Sequence, residues 1–287
     1  MSEQIDKAIR WGAERIQPCS ETARLDAELL LAHCLDKPRS YIYSWPEKKL
    51  SHSCWQQYQA LVRQRLKPTP VAYLVGRREF FSLEFATTPA ALVPRPETEL
   101  LVEIALQQIP REQPMRICDL GTGTGIIAIT LKKQRPLAIV CATDVDPGCI
   151  ELARANANRH QVDIELIESD WYREINAGKR FDLIVSNPPY VAADHPLLAA
   201  GDLPAEPERA LTPGVSGLEA LQVIISQAPD FLLPGGLLIL EHGYDQQAAV
   251  AKLLALHGFE AIRCESDYND LPRTSIAKLV ENLNAGA

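Results

Sequence analysis

Apolar residues recur at helical spacing through the first seventy positions and predict three helices there. The successive sets are Ile5, Ala8, Ile9, Gly12, Ala13 and Ile16; Leu25, Leu29, Ala32 and Leu35; and Trp55, Tyr58, Val62 and Leu66. Ser20 and Ser51 are candidate N-caps of the second and third helices. The pattern breaks at Pro68-Thr69-Pro70, so residues 1–70 are predicted to form a small all-helical domain followed by a stiff linker.

The pattern changes over residues 71–93, where stretches such as residues 79–85 partly alternate between apolar and polar positions. This alternation predicts a linker with a β-hairpin between two domains. Next, Pro94-Arg95-Pro96-Glu97-Thr98-Glu99 leads into a helical run over residues 100–108, with Thr98 or Glu97 as its candidate N-cap. A second domain is therefore predicted over residues 94–287.

Strand and helix patterns alternate between residues 115 and 257. Strands are predicted over residues 115–120, 138–143, 164–169, 181–186 and 237–240, and helices over residues 126 onward, 150–157, 218–231 and 246–256. The mostly apolar run over residues 181–186 is typical of a parallel strand buried on both faces. The alternation predicts an α/β domain built on a doubly wound, mostly parallel sheet.

The first of these strands ends in the sequence Asp119-Leu120-Gly121-Thr122-Gly123-Thr124-Gly125. Glycines between a strand and a helix let a ligand approach the backbone, and the helix N-terminus supplies N–H donors. The predicted loop for a nucleotide-type cofactor is therefore Gly121, Thr122, Gly123, Thr124 and Gly125. Ile126 stands where the dinucleotide fingerprint has its third glycine, which disfavours a nicotinamide cofactor. A tight turn without a ligand is the alternative.

Acidic residues follow the next two strands. Asp144 lies nineteen residues beyond Gly125, near the spacing of about 20 residues at which an acidic side chain meets a ribose hydroxyl pair. Asp146 is the rival candidate, although it also suits the N-cap of the following helix. Asp170 can accept a hydrogen bond from an adenine amino group while Trp171 packs on the purine. The alternative is a loop-capping Asp beside a core Trp.

The strand over residues 181–186 leads directly into Asn187-Pro188-Pro189-Tyr190. Two prolines cannot continue a central strand, so the backbone leaves the sheet at its carboxyl edge, where ligands of α/β sheets bind. Asn187 and the Pro188 carbonyl offer acceptors, and Tyr190 offers a flat face, for a planar NH2 group. The tetrapeptide resembles the substrate motif of S-adenosylmethionine-dependent methyltransferases that act on planar nitrogens. The alternative is a simple turn with Tyr190 in the core.

A long segment without strand or helix pattern follows Tyr190 and contains Asp202, Glu206-Pro207 and Gly214. It is longer than a compact fold requires. We therefore expect it to form a lid that faces the substrate.

Composition is that of an ordinary globular protein, because 287 residues with 46% apolar positions suffice for one large and one small domain. Seven cysteines without a C-x-x-C pair predict free thiols in a reducing compartment, with neither structural zinc nor disulfides. The amino terminus lacks the apolar core of a targeting peptide, and no run approaches the roughly eighteen apolar residues of a membrane span. We expect a cytoplasmic protein that does not enter membranes.

The net charge of −8 is unevenly distributed. Residues 1–75 carry eleven Lys and Arg against eight Asp and Glu, a net charge of +3, whereas the remainder carries 18 against 29, a net charge of −11. An acidic main domain is a poor general binder of a phosphate backbone. Stable nucleic acid binding is therefore not expected.

With these motifs together, the chain resembles the peptide chain release factor N5-glutamine methyltransferases, a class I, Rossmann-like, S-adenosylmethionine-dependent family. The resemblance runs nearly end to end. It is carried by Pro70-Val71-Ala72-Tyr73-Leu74-Val75-Gly76, Pro94-Arg95-Pro96-Glu97-Thr98-Glu99, the glycine loop, Ser169-Asp170-Trp171 and Asn187-Pro188-Pro189-Tyr190. The second and last of these motifs in combination are far more specific than either the glycine loop or the tetrapeptide alone.

The resemblance implies S-adenosyl-L-methionine as cofactor and, as substrate, the glutamine of the Gly-Gly-Gln motif of class 1 peptide chain release factors. The glycine loop would hold the methionine end of the cofactor, Asp144 its ribose, and Asp170 with Trp171 its adenine. Asn187 would lie beside both ligands and, with the Pro188 carbonyl, grip the glutamine amide against Pro189 and Tyr190. The helical domain would bind the partner, and the enzyme is expected to be a monomer.

The closest alternative is an N6-adenine DNA or ribosomal RNA base methyltransferase, because a flipped base presents the same amino group. That function requires a basic recognition region, and +3 over residues 1–75 is too weak. A dehydrogenase would need the missing third glycine. A non-catalytic binding module has no reason to keep both motifs. We instead expect Arg63 and Arg65 to lie on a mildly basic face that meets an acidic partner surface.

Overall fold

The computed structural model describes residues 3–281, which fold into two compact units. The first unit contains residues 3–77, 87–89 and 196–206. The second contains residues 78–86, 90–195 and 207–281. None of the described helices is long and apolar enough to cross a membrane.

The first unit is helical. Its helices are α1 (Ile5–Ile16), α2 (Ala23–Leu35), α3 (Arg39–Ser44), α4 (His52–Arg65) and α5 (Val71–Val75). The Ser51 side chain accepts a hydrogen bond of 3.1 Å from the Cys54 N–H, so the predicted N-cap of α4 is confirmed. The predicted N-cap of α2 is wrong. Thr22 occupies that position, and Ser20 accepts a hydrogen bond from the Thr22 N–H instead.

The predicted apolar face of α2 is only partly right, since Ala32 is buried and Leu35 packs against the core. Leu25 is 37% exposed, whereas Ala23, Ala27, Leu30 and Leu31 are buried. The true face includes Asp26, a charged residue that a hydrophobic pattern assigns to solvent. Asp26 is buried because a charged partner on α4 neutralises it.

That partner is Arg65, whose guanidinium lies 2.8 Å from Asp26 and 2.7 Å from Asp202 of the segment 196–206. Arg65 is buried, and Arg63 is exposed. The expectation that Arg65 belongs to a basic docking face is therefore wrong. Its guanidinium is paired with two carboxylates inside the first unit.

The predicted hairpin is present as strands β1 (Arg77–Phe80) and β2 (Leu83–Ala86). Its two turn residues, Phe81 and Ser82, have φ angles of 51° and 61°. Positive φ at both central residues gives a two-residue turn whose backbone twist matches that of the flanking strands. Phe80 and Phe85 bury their rings in the core of the second unit.

The second unit is built on a seven-stranded sheet. The strands are β3 (Arg116–Leu120), β4 (Ile139–Asp144), β5 (Glu165–Glu168), β6 (Phe181–Ser186), β7 (Leu232–Glu241), β8 (Phe259–Ser266) and β9 (Pro272–Leu279). Their order is β5-β4-β3-β6-β7-β9-β8. Strands β3 to β7 are parallel, and β9 pairs antiparallel with both β7 and β8. The sequence did not predict the antiparallel pair, but the predicted fold class is confirmed.

Helices cover both faces of the sheet. They are α6 (Thr98–Gln108), α7 (Ile126–Gln134), α8 (Pro147–His160), α9 (Glu219–Gln227) and α10 (Gln247–Leu256). Successive residues of β3 point to opposite faces, so Ile117 packs in the core with α6 and α7, whereas Cys118 packs in the core with α9 and α10. This doubly wound arrangement explains why the parallel strands have no polar face.

The sheet changes its winding direction between β3 and β6. The chain runs from β3 outward through β4 and β5, then crosses to β6 on the other side of β3. Leu120 and Ser186 are paired at the carboxyl ends of these two strands, and the Ser186 hydroxyl donates to the Leu120 carbonyl at 2.7 Å. The glycine loop and Asn187 therefore leave the sheet side by side at its switch point.

Candidate active site

A cleft opens at this switch point and contains about 950 Å³ of empty space, part of it open to solvent. Its walls come from residues 90–95, the start of α6, the glycine loop, the ends of β4 and β5, and the turn after β6. Motifs that lie far apart in the sequence thus meet around one cavity.

Of the predicted site residues, those that line the cleft are Gly121, Thr122, Gly123, Thr124, Asp144, Asp170, Trp171, Asn187 and Pro189. Gly125, Pro188 and Tyr190 lie behind this lining. Gly125 is the N-cap residue of α7, and a Cβ there would be 2.7 Å from the Ile129 side chain. Pro188 is buried, and Tyr190 packs against the hydrophobic core.

The glycine loop is held from below by Asp119. Its Oδ2 accepts from the Thr122 hydroxyl at 2.6 Å and from the Ala128 N–H at 3.2 Å. Burial raises the pKa of the Asp119 carboxyl to about 7. Gly121 and Gly123 have φ angles of 70° and 55°, a conformation in which a side chain is strained.

Asp144 organises the wall beside the loop. One carboxylate oxygen accepts from the Gly123 N–H at 2.8 Å and the other from the Asp146 N–H at 3.0 Å. Burial raises the pKa of Asp144, and these two hydrogen bonds oppose that shift. Asp146 instead caps α8 through the Gly148 N–H at 2.8 Å and forms an ion pair with Arg209 at 3.2 Å.

Trp171 is positioned by an unusual turn after β5. Its φ angle is 52°, and the Ser169 hydroxyl secures the turn by donating to the Trp171 carbonyl and accepting from the Glu174 N–H. The ring lies against the glycine loop, since a Cβ on Gly121 would be 3.3 Å from it. Asp170, next to it, is exposed at the cleft.

The Asn187 side chain belongs to a hydrogen-bonded chain. Its Nδ2 donates to the Thr98 hydroxyl oxygen at 2.9 Å, and the Thr98 hydroxyl donates to Glu241 Oε2 at 2.8 Å. The Tyr190 hydroxyl donates to Glu241 Oε1 at 3.2 Å. Glu241 is buried at the end of β7, and burial raises the pKa of its carboxyl to about 7.

Sequence reasoning missed Thr98 and Glu241. Thr98 was expected, together with Glu97, only as a candidate helix cap. In the structure Glu97 occupies the N-cap position, but its side chain makes no capping hydrogen bond. The Thr98 hydroxyl accepts a hydrogen bond from the Asn187 side chain at the cleft. The available signal for Glu241 was a carboxylate at the end of the apolar run Leu237-Leu238-Ile239-Leu240. Such a strand end lies at the ligand-binding edge of the sheet.

No group of three or more His, Cys, Asp and Glu side chains within residues 3–281 is arranged to hold a metal ion.

Two family models match the chain. Residues 7–76 match the PrmC N-terminal domain, and residues 97–254 match the methyltransferase small domain. A solved methyltransferase from Pyrococcus furiosus superposes with a TM-score of 0.53 at 21% identity, and the match covers 70% of this chain and 91% of that one. The fold and the motifs at its switch point define a class I methyltransferase.

Curated relatives match over nearly the full length. The release factor glutamine methyltransferase of Shewanella oneidensis is 41% identical, with 96% of each chain covered. The protein of the same name from Escherichia coli K12 is 42% identical, with 90% of this chain and 93% of that one covered. The chain belongs to the release factor glutamine methyltransferase family.

Proposed function

We propose that this enzyme transfers a methyl group from S-adenosyl-L-methionine to the side-chain amide nitrogen, N5, of the glutamine in the Gly-Gly-Gln motif of class 1 peptide chain release factors. The observation that carries the proposal is that the glycine loop after β3 and Asn187 after β6 line one cleft. One motif suits a nucleotide-type cofactor and the other a planar amide. Family membership favours a release factor over a nucleic acid base as the substrate.

The residues of the cleft fit the proposed cofactor. Gly121 and Gly123 line the cavity without presenting a side chain to it. Each carboxylate oxygen of Asp144 accepts a hydrogen bond from one backbone N–H group. Each oxygen can therefore still accept from a ribose hydroxyl. Asp146 is committed to its helix cap and to Arg209, which favours Asp144 for the ribose. Asp170 and Trp171 would hold the adenine.

When bound, S-adenosylmethionine would supply an electrophilic methyl group on a sulfonium. The residues of the chain supply position and charge. Asn187 Oδ1 and the Pro188 carbonyl would each accept one N–H of the glutamine amide, with Pro189 beside it in the cleft and Tyr190 supporting the turn from behind the lining. Because the Tyr190 hydroxyl is bound to Glu241, the orientation of the tyrosine ring is fixed.

Positioning matters here because an amide nitrogen is a weak nucleophile whose lone pair is delocalised into the carbonyl. Correct alignment can lower a barrier by about 7–11 kcal/mol at the extreme. As the nitrogen becomes more positive, acceptors already placed at its hydrogens stabilise that state more than the ground state. Asn187 is the residue we assign to this role.

We further propose that the enzyme acts as a cytoplasmic monomer with no stable nucleic acid partner. The net charge of −11 beyond residue 75 supports the last point.

The test is transfer of labelled methyl from S-adenosylmethionine to a purified class 1 release factor. The same factor with its Gly-Gly-Gln glutamine changed to alanine, duplex DNA and ribosomal RNA are assayed beside it. We expect label on the intact factor alone. Label on nucleic acid, or on the altered factor equally, overturns the proposal.

Variants divide the site into its two functions. Asn187→Ala is expected to lose methyl transfer while it still binds S-adenosylmethionine, and Asp144→Ala is expected to lose cofactor binding. An Asn187→Ala enzyme with normal turnover would remove Asn187 from the role assigned here.

A further inference from the structure

The hydrogen-bonded chain behind Asn187 has a direction that follows from the chemistry of its members. Thr98 stands between a carboxylate and an amide, 2.8 Å from Glu241 Oε2 and 2.9 Å from the Asn187 amide. An ionised carboxylate only accepts hydrogen bonds, so the single hydroxyl hydrogen of Thr98 must point at Glu241. The Thr98 oxygen can then only accept from Asn187.

This requirement decides which way the Asn187 amide faces. Its NH2 group must lie against Thr98, and Oδ1 is consequently on the opposite side of the amide. Oδ1 accepts no hydrogen bond from any residue in the described part of the chain, and Asn187 lines the cleft. Thr98 and Glu241 thus fix the amide orientation in which Asn187 offers an acceptor to a substrate NH2 group.

We propose that Glu241, acting through Thr98, is a positioning residue that holds the Asn187 amide with its oxygen toward the substrate. This inference rests on the proposed function, because it explains why Asn187 presents its oxygen to the substrate. Neither Glu241 nor Thr98 touches the reacting atoms in this scheme. Both act on Asn187.

The burial of Glu241 makes its protonation state relevant near neutral pH. Burial raises the pKa of its carboxyl to about 7, and the nearby charge of Glu97 raises it as well. The hydroxyls of Thr98 and Tyr190 and the charge of Arg273 favour the ionised form. When Glu241 takes up a proton it can donate to Thr98, which frees the Thr98 hydrogen to bind Asn187 Oδ1 and turn the amide round.

Three variants test the direction of the hydrogen bonds from Asn187 through Thr98 to Glu241. Glu241→Gln keeps the shape but can donate to Thr98, Thr98→Val keeps the shape without the hydroxyl, and Thr98→Ser keeps the hydroxyl. We expect Glu241→Gln and Thr98→Val to lower kcat for release factor methylation by about tenfold or more. Their Kd for S-adenosylmethionine should stay within about twofold of the wild type, and Thr98→Ser should restore most of kcat.

The matched control is Thr130→Val. Thr130 is a buried threonine of α7 whose hydroxyl has no hydrogen-bond partner among the described residues, so its replacement should leave kcat unchanged. The second readout is the pH profile. Wild-type kcat should fall on the acidic side of about pH 7, and Glu241→Gln should lack that limb.

Three results would overturn the inference. They are a wild-type kcat in Thr98→Val, a loss of kcat in Thr98→Ser or Thr130→Val as large as that in Thr98→Val, and an acidic limb in Glu241→Gln that is unchanged from the wild type. A wild-type enzyme that transfers no methyl group to the release factor refutes the proposed function instead. In that case hydrogen exchange of the Asn187 side-chain NH2, measured by NMR without substrate, still tests the orientation. It should be slower in the wild type and Thr98→Ser than in Thr98→Val, and equal rates would overturn the inference.

Discussion

Gly123 offers a substitution whose effects on stability and on cofactor binding can be separated. Its φ angle is 55°, and a Cβ there would have Ala91 as its nearest neighbour at 4.0 Å. Gly123→Ala therefore introduces backbone strain without a clash. Placing an L-residue in the left-handed region costs about 1–2 kcal/mol. The new methyl group stands in the cleft, because Gly123 and Ala91 both line it.

Gly201 supplies the matched control. Its φ angle is 54°, and a Cβ there would meet nothing within 4 Å. Gly201 lies outside the cleft lining. Gly201→Ala should thus carry the same strain as Gly123→Ala with no methyl group near the cofactor. Each variant should lower the melting temperature of its own unit by about 2–8 °C for each kcal/mol of strain.

The assay is calorimetric titration with S-adenosylmethionine. We expect Gly123→Ala to weaken the Kd by about tenfold or more, which corresponds to about 1.4 kcal/mol, and Gly201→Ala to bind like the wild type. Wild-type affinity in Gly123→Ala would refute the reasoning, because the glycine would then serve backbone conformation alone. Equal losses in the two would show that strain, and not the methyl group, weakens binding.

Three further predictions concern stability. Arg65→Met leaves its buried carboxylate partner unpaired and should destabilise the helical unit by about 3–5 kcal/mol in denaturant unfolding, whereas Arg63→Met, at an exposed position, should have almost no effect. Burial raises the pKa of Asp119 and Glu241 to about 7, so their stabilising contribution is complete below about pH 4 and is lost as the pH rises through 7. The stability of Glu241→Gln relative to the wild type should therefore increase from pH 5 to pH 8. Ser51→Ala should cost about 1 kcal/mol in thermal unfolding through the lost N-cap.

The sequence predicted the centre of the fold because its signals there are local. The runs that form β3 and β6 are followed closely by glycines or prolines, which mark the ends of the strands. The position of the glycine loop and of Asn187 at a common edge followed from parallel strands alone. The roles proposed for Asp144, Asp170 and Trp171 remain predictions.

The remaining features depend on contacts between distant residues. Spacing alone did not choose between two apolar faces of α2, since Ala23, Ala27, Leu30 and Leu31 also recur at helical spacing. The face that is buried includes Asp26, whose charged partner Arg65 lies 39 residues away. Thr98 and Glu241 are 143 residues apart and acquire a joint role only when α6 and β7 meet. Strand β8 is exposed along most of its length, and β9 begins with the non-apolar run Pro272-Arg273-Thr274-Ser275, so their pattern did not separate them from loops.

The first unit is discontinuous, and this affects how the chain folds during synthesis. Its last segment, residues 196–206, is made only after the glycine loop and Asn187. Among the described residues, Asp26 is the one carboxylate partner that Arg65 has until Asp202 leaves the ribosome. The helical unit is therefore completed late, although its five helices are translated first. A fragment that ends at residue 77 would contain the sequence of all five helices and lack Asp202, the second carboxylate partner of Arg65.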